Sequence, residues 1–241
     1  MNIGLQLGYW GAAPPTDLIG VAQEAESLGY DSIYTAEAWG SDAFTPLSWI
    51  GAHTSKIRLG TSVVQLSART PTATAMATLT LDHLSGGRMI LGLGVSGPQV
   101  VEGWYGAPFS KPLSRTREYI DIVRQVLRRE APVTSPGPHY PLPYTGENAW
   151  GMGKPLRPIT HPPRADVPIF MGAEGPKNVA LAAEIADGWL PLYYSPYRPE
   201  VYADSLKNAK PDFEIAQMTI FNVADDVETG LMPVKAMLGF Y

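Results

Sequence analysis

The sequence predicts a parallel α/β architecture in which seven strands alternate with seven helices. Three observations carry this. Strand and helix signals alternate from the first residues onward, the longer segments bear apolar stripes at helical spacing, and small or polar residues recur just after successive strands. Such alternation is the signature of a parallel sheet covered by helices. At 241 residues and 45% hydrophobic, the chain can bury a full core, as one large domain or two small ones.

The elements follow in order. Ile3–Leu7 reads as a strand and Asp17–Leu28 as a helix, with Leu18, Val21, Ala22, Ala25 and Leu28 on one face. Thr16 is its expected N-cap, and Gly29 suits the position just past its end. Ser32–Thr35 is the second strand, a helix lies near Pro46–His53, and Ile57–Val64 is the third strand. Thr70 and Pro71 form a cap and first-turn pair for a helix to about Leu84, which Gly86 and Gly87 end. Met89–Leu93 is the fourth strand, and the stretch from Pro98 to Gly106 reads as a loop. Arg115–Arg128 is a long helix with a stripe of Tyr119, Ile122, Val123, Val126 and Leu127. Alternation resumes with strand Val167–Met171, helix Pro176–Ala186, strand Gly188–Pro191, a helix around Glu200–Ala209, strand Glu214–Val223 and helix Asp226–Leu238.

Between Glu130 and Pro168 the pattern breaks, because nine prolines from Pro132 to Pro163 forbid helix and central strand. A loop of this length in a compact domain is expected to be a lid or binding loop, or disordered, and could select a substrate. A net charge of −5 with no basic run argues against nucleic acid or an anionic membrane as partner. No apolar stretch reaches spanning length, and MNIGLQLGYW lacks a charged region followed by an apolar one, so the expectation is a cytoplasmic chain. The absence of cysteine excludes disulfides, thiolate metal sites and cysteine nucleophiles, and the four histidines show no metal-ligand spacing.

Two architectures suit a parallel sheet. A doubly wound sheet binds ligands at its switch point, and a (β/α)₈ barrel at the C-terminal ends of its strands. Either places Glu37, Gln65, the glycines of Gly92–Gly97 and Gly172–Gly175 around one site. Glu37 is a candidate acid/base or orienting group, and a salt-bridge carboxylate is the competing reading. Gly92-Leu-Gly-Val-Ser-Gly97 matches a dinucleotide fingerprint, but it follows the fourth strand and leads into loop-like sequence. Lys177 occupies the first turn of a helix, where backbone N–H groups already carry positive charge, beside Gly175 and Pro176. A phosphate opposite that turn would account for both choices. Arg115 and Arg117 form part of a basic helix face that is either solvated or near an anionic tail.

Four segments together resemble the bacterial luciferase-like family, and within it the oxidoreductases that use the deazaflavin coenzyme F420. They are Tyr34–Phe44, Leu59–Val64, Leu84–Gly97 and Gly172–Asn178. The resemblance implies a single TIM (β/α)₈ barrel domain over 1–241 with a Pro-rich insertion at about 130–168. Family members run longer, so a barrel lacking its closing C-terminal elements is expected here. It implies a non-prolyl cis peptide at Ser62–Val63, bulging against the cofactor ring. Glu37 would lie near the ring, with Val95, Ser96 and Gly97 along its edge. Gly172, Ala173 and Glu174 would lead to a phosphate held by Gly175, Pro176, Lys177 and Asn178. Many relatives carry a histidine after the acid, where this chain has Ala38. That leaves Glu37 or Glu102 as the catalytic carboxyl, able to supply a proton if desolvated. The implied activity is hydride transfer between coenzyme F420 and a small organic substrate. The alternatives are an FMN-dependent monooxygenase and a non-catalytic flavin- or deazaflavin-binding protein, and relatives are often homodimers.

Overall fold

The computed structural model describes residues 1–240. The chain runs β1 (Gly4–Gly8), α1 (Leu18–Ser27), β2 (Ser32–Thr35), α2 (Phe44–His53), β3 (Arg58–Thr61) and β4 (Val64–Gln65). It continues with α3 (Pro71–Ser85), β5 (Met89–Gly94), α4 (Pro98–Gly103), α5 (Pro112–Arg128), β6 (Ile169–Gly172) and α6 (Pro176–Ile185). The last elements are β7 (Gly188–Leu190), a 3₁₀ turn (Pro199–Tyr202), α7 (Ala203–Leu206), β8 (Glu214–Ile215) and α8 (Val227–Phe240).

Every strand pairing is parallel, in the order β1-β2-β3-β5-β6-β7-β8, with β4 beside β5. Sequential order leaves no point where the chain reverses direction across the sheet, which rules out the doubly wound alternative. Instead the sheet curls. Tyr34, Ile90 and Phe170 pack together on its inner face with Leu190. Ile33, Leu59, Leu91, Ile169, Met171 and Trp189 belong to the larger core under the helices. Across the inside, Arg58 of β3 donates to both oxygens of Glu214 on β8 at 3.2 Å and also pairs with Asp31. Strands distant in the sheet are thus tied by one guanidinium. β1 and β8 each have a single paired neighbour, and the barrel is incomplete in this chain.

Burial on both faces explains two glycines. A Cβ on Gly60 would lie 2.2 Å from the Tyr34 ring, and one on Gly92 would lie 1.8 Å from the Thr61 carbonyl oxygen. Thr61 Oγ1 bonds both Gly92 N and Gly92 O at 2.8 Å, locking β3 to β5.

Helix ends follow their local chemistry, with one shift. Asp17, not Thr16, caps α1 by accepting from Gly20 N at 2.9 Å, while Thr70 caps α3 and left-handed Gly86 ends it. The Ser85-Gly-Gly-Arg88 stretch is structural. The Arg88 guanidinium donates to the carbonyls of Ser85, Gly51, Thr54 and Ile57 and to Thr54 Oγ1, closing the end of α2 onto β3.

Several expectations are corrected. The predicted strand Ile57–Val64 is two strands, because the chain turns at Ser62–Val63. The stretch after Gly97, read as a loop, opens the short helix α4, since Pro98 at its first turn needs no N–H partner. The helix expected at Glu200–Ala209 is a 3₁₀ turn and one α turn, and the strand expected to reach Val223 ends at Ile215.

As its prolines dictate, the segment 130–168 holds only two isolated antiparallel bridges, Val133 with Leu156 and Ser135 with Leu142. It is pinned rather than loose. Glu118 on α5 accepts from Ser135 Oγ, His139 N and Tyr140 N at 2.6–3.1 Å. Buried Asp82 on α3 holds Arg164 through two bonds of 2.8 and 3.0 Å.

Candidate functional site

The C-terminal strand ends converge around Val63. The Ser62–Val63 peptide is cis, as the resemblance implied. The Val63 side chain covers Gly94 at the end of β5 and Gly172 at the end of β6, where an added Cβ would stand 2.6 and 3.0 Å from its methyl groups. Glu37 N donates to Val63 O at 3.3 Å, so the end of β2 joins the same cluster. All four of the segments that carry the resemblance therefore meet.

Glu37 is buried, and both of its oxygens are committed. Arg69 Nη1 donates to each at 2.8 Å, Gln65 N donates to Oε1 at 2.9 Å, and Ala43 N to Oε2 at 3.3 Å. Gln65 Nε2 adds a bond to the Glu37 carbonyl at 2.9 Å, and its own Oε1 is buried without a partner among the described residues. The arrangement suits a fixed negative charge that orients the β2 end. Gln65 stands at a strand end where the sequence expects the site, whereas Arg69, 32 positions from Glu37, gives no local signal.

Glu102 lies apart. It is exposed on α4 and accepts from Phe109 N at 3.4 Å. Between them, Val95 and Ser96 leave β5, Ser96 adopts a left-handed φ of 60°, and Gly97 precedes Pro98 at the start of α4. Tyr105, in the loop that follows, donates its hydroxyl to Ala38 O at 3.3 Å. Burial, and then the Glu37 charge, push its phenol above the ordinary tyrosine range.

At the end of β6, Ala173 is buried and its carbonyl accepts from Trp189 Nε1 at 2.8 Å. Glu174 accepts from Leu192 N at 2.7 Å; burial raises its carboxyl, and that N–H works the other way. Gly175 turns the chain with a φ of 72°. No side chain caps α6: Pro176 opens it, Lys177 is exposed, and Asn178 Oδ1 is buried without a partner among the described residues. An uncapped helix start with an exposed lysine is a donor set suited to an anionic tail, whereas the unpartnered Asn178 oxygen is an acceptor and adds no donor to it. Arg115 and Arg117 are engaged elsewhere, with Ser67 and Pro108 O, and with Glu184.

Two clefts flank these residues, and neither is lined by the predicted cofactor contacts. One, about 450 Å³, lies between Trp10–Pro14 and Gly40–Pro46 at the ends of β1 and β2. The other, about 530 Å³, lies beyond β7 and β8, among Tyr193, Tyr194, Tyr202 and Gln217–Ile220.

A parallel barrel with its small residues gathered at the C-terminal strand ends is the frame of a ligand-binding barrel. Residues 4–238 match the model of the luciferase-like monooxygenase family, and the chain belongs to that family. A Mycobacterium tuberculosis protein, provisionally named a coenzyme F420-dependent oxidoreductase, is 62% identical over all of this chain and 72% of its own length. The 5,10-methylenetetrahydromethanopterin reductase of Methanolobus tindarius is 34% identical over 70% of this chain, which spans about half of that relative, 48% of it. Among solved structures, the coenzyme F420-dependent tetrahydromethanopterin reductase of Methanopyrus kandleri superposes with a TM-score of 0.79 at 25% identity. That match covers 99% of this chain and 71% of that one.

Proposed function

We propose that this chain is an oxidoreductase that transfers a hydride between coenzyme F420 and a small organic substrate. The observation that carries the reading is the β6–α6 corner, where uncapped N–H groups and the exposed Lys177 suit a phosphate. The 62% identity to a relative provisionally named for this cofactor supports F420 over FMN.

When bound, the deazaflavin supplies a ring carbon that gives or accepts hydride. The chain's own residues do the rest. Gly175 lets a ligand approach the backbone, and Pro176 sets the first turn of α6. Lys177 and the N–H groups of Asn178 hold the tail. Val63, set over Gly94 and Gly172, offers an apolar surface against one face of a flat ring. Glu37, neutralised by Arg69, keeps the β2 end rigid beneath the substrate.

Titration of the purified chain with F420 and with FMN, followed by fluorescence, tests the reading. Preferential binding of F420 is expected. Preferential binding of FMN, with oxygen consumed by the reduced flavin, would overturn it in favour of a monooxygenase. F420 binding without turnover on any carbonyl, imine or activated alkene would leave a cofactor-binding protein without catalysis.

A further inference from the structure

We propose that Tyr105 is the hydrogen-bond and proton donor to the substrate atom that gains charge during hydride transfer; this rests on the function proposed above. The two carboxyl groups predicted for that task are badly placed for it. Both Glu37 oxygens accept from Arg69 and from backbone N–H groups, so that side chain presents no donor. Glu102 is exposed and faces Phe109 N.

Tyr105 differs on each count. Its hydroxyl reaches the C-terminal end of β2 from the loop after α4, and among the described residues it meets only the backbone oxygen of Ala38, at 3.3 Å. An O–H···O bond is ordinarily 2.5–3.0 Å, so this contact is long and easily exchanged for a better acceptor. Residue 38 is an alanine, so no longer side chain stands at that position to compete for the hydroxyl, and Tyr105 is half-buried. The backbone holds the ring in place, with Tyr105 N donating to Val100 O and Ala107 N to Val101 O. Burial and the neighbouring Glu37 charge keep the phenol protonated at neutral pH, so it is a donor when substrate arrives. Arg69, paired with Glu37, favours the phenolate that proton transfer leaves.

The step balances with the reduced deazaflavin as reductant. Hydride adds to the substrate carbonyl carbon, the C=O π pair moves to oxygen, and a new O–H bond forms as the Tyr105 O–H bond breaks. Water then returns a proton to the phenolate. The transfer runs downhill because an alkoxide is a stronger base than a phenolate. Substrate gains two electrons and the cofactor loses two.

Isobutyramide, whose carbonyl accepts hydrogen bonds but resists reduction, serves as the probe with the full chain saturated by F420. In protein labelled with 3-fluorotyrosine, the Tyr105 ¹⁹F resonance, identified by its loss in Tyr105→Phe, is expected to shift on adding the amide. Isobutyramide is expected to bind Tyr105→Phe at least fivefold more weakly, with F420 affinity and melting temperature unchanged. An unmoved resonance, equal affinity for both proteins, or no binding to the unsubstituted protein would each overturn the assignment. A chain that does not bind F420 fails at the first titration, which removes the cofactor reading and this role with it.

Discussion

At the residue scale, Glu37 shows how one carboxylate reads differently once its neighbours are known. In sequence it is an acid after an apolar strand; in the fold it is a buried charge balanced by Arg69, with a 3% exposed carboxylate against a 24% exposed guanidinium. Removing one partner of a buried pair costs about 3 kcal/mol or more, since the other charge is left uncompensated. Arg69→Met is therefore expected to lower unfolding free energy by about 3 kcal/mol, measured by urea denaturation, and a loss below about 1 kcal/mol would show that the backbone donors suffice. Lys177 has the opposite profile. It is exposed and serves no fold contact among the described residues. Lys177→Ala is expected to leave the melting temperature unchanged and to weaken F420 about tenfold, or about 1.4 kcal/mol. Unchanged affinity would return the β6–α6 corner to an ordinary turn.

At the element scale, the strands meet through contacts with no spare volume. Gly92→Ala sets a Cβ 1.8 Å from a backbone oxygen of β3 that cannot swing aside. Overpacking of this kind costs about 1–3 kcal/mol or more, and a large fall in thermal stability is expected, whereas exposed Gly103→Ala provides a neutral control. The α1–β3 junction carries a pH signature. Burial disfavours the Glu26 charge, but the N–H groups of Ile57, Lys56 and Ser55, at 2.6–2.9 Å, outweigh it and lower the carboxyl. A depressed carboxyl contributes stability above its unfolded pKa and loses it as pH falls through the folded one. Glu26→Gln is thus expected to destabilise at pH 7, with the gap closing in acid; a constant gap across pH in thermal melts would contradict this.

At the scale of the whole molecule, the curl of the sheet brings Glu37, Val63, Gly94 and Gly172 together although they span 136 positions of chain. A ligand bridging these strand ends is linked to global folding. At a hundredfold excess over its dissociation constant, F420 is expected to stabilise the chain by about 2.7 kcal/mol, read as a rise in melting temperature. Loss of that rise in Lys177→Ala would tie the effect to the β6–α6 corner. The Pro-rich segment is tied to the body, because Glu118 and Asp82 hold it to α5 and α3.

Local signals were legible where local physics decides. Apolar periodicity marked α3 and α5, proline density marked the irregular segment, and glycines marked the strand ends. What was not legible depended on distant partners. Tyr105 lies in loop-like sequence, and only the fold brings its hydroxyl to Ala38. Arg69 gave no sign that it would neutralise Glu37. Propensity favours one continuous strand over Ile57–Val64, so its division into two was not legible, and family resemblance implied only the cis peptide between them.

By itself, the sequence determined the alternation of strands and helices, the extent of the Pro-rich interruption and the anion-suited start of α6. These are governed by backbone preferences and by neighbours a turn apart. Only the tertiary structure decided that the strands pair in sequential order, that Arg58 spans the inner face to Glu214, and that Glu37 spends its charge on Arg69. Pairing order and ion partners depend on which surfaces meet after the sheet curls, and residues far apart in the chain carry no local record of that meeting.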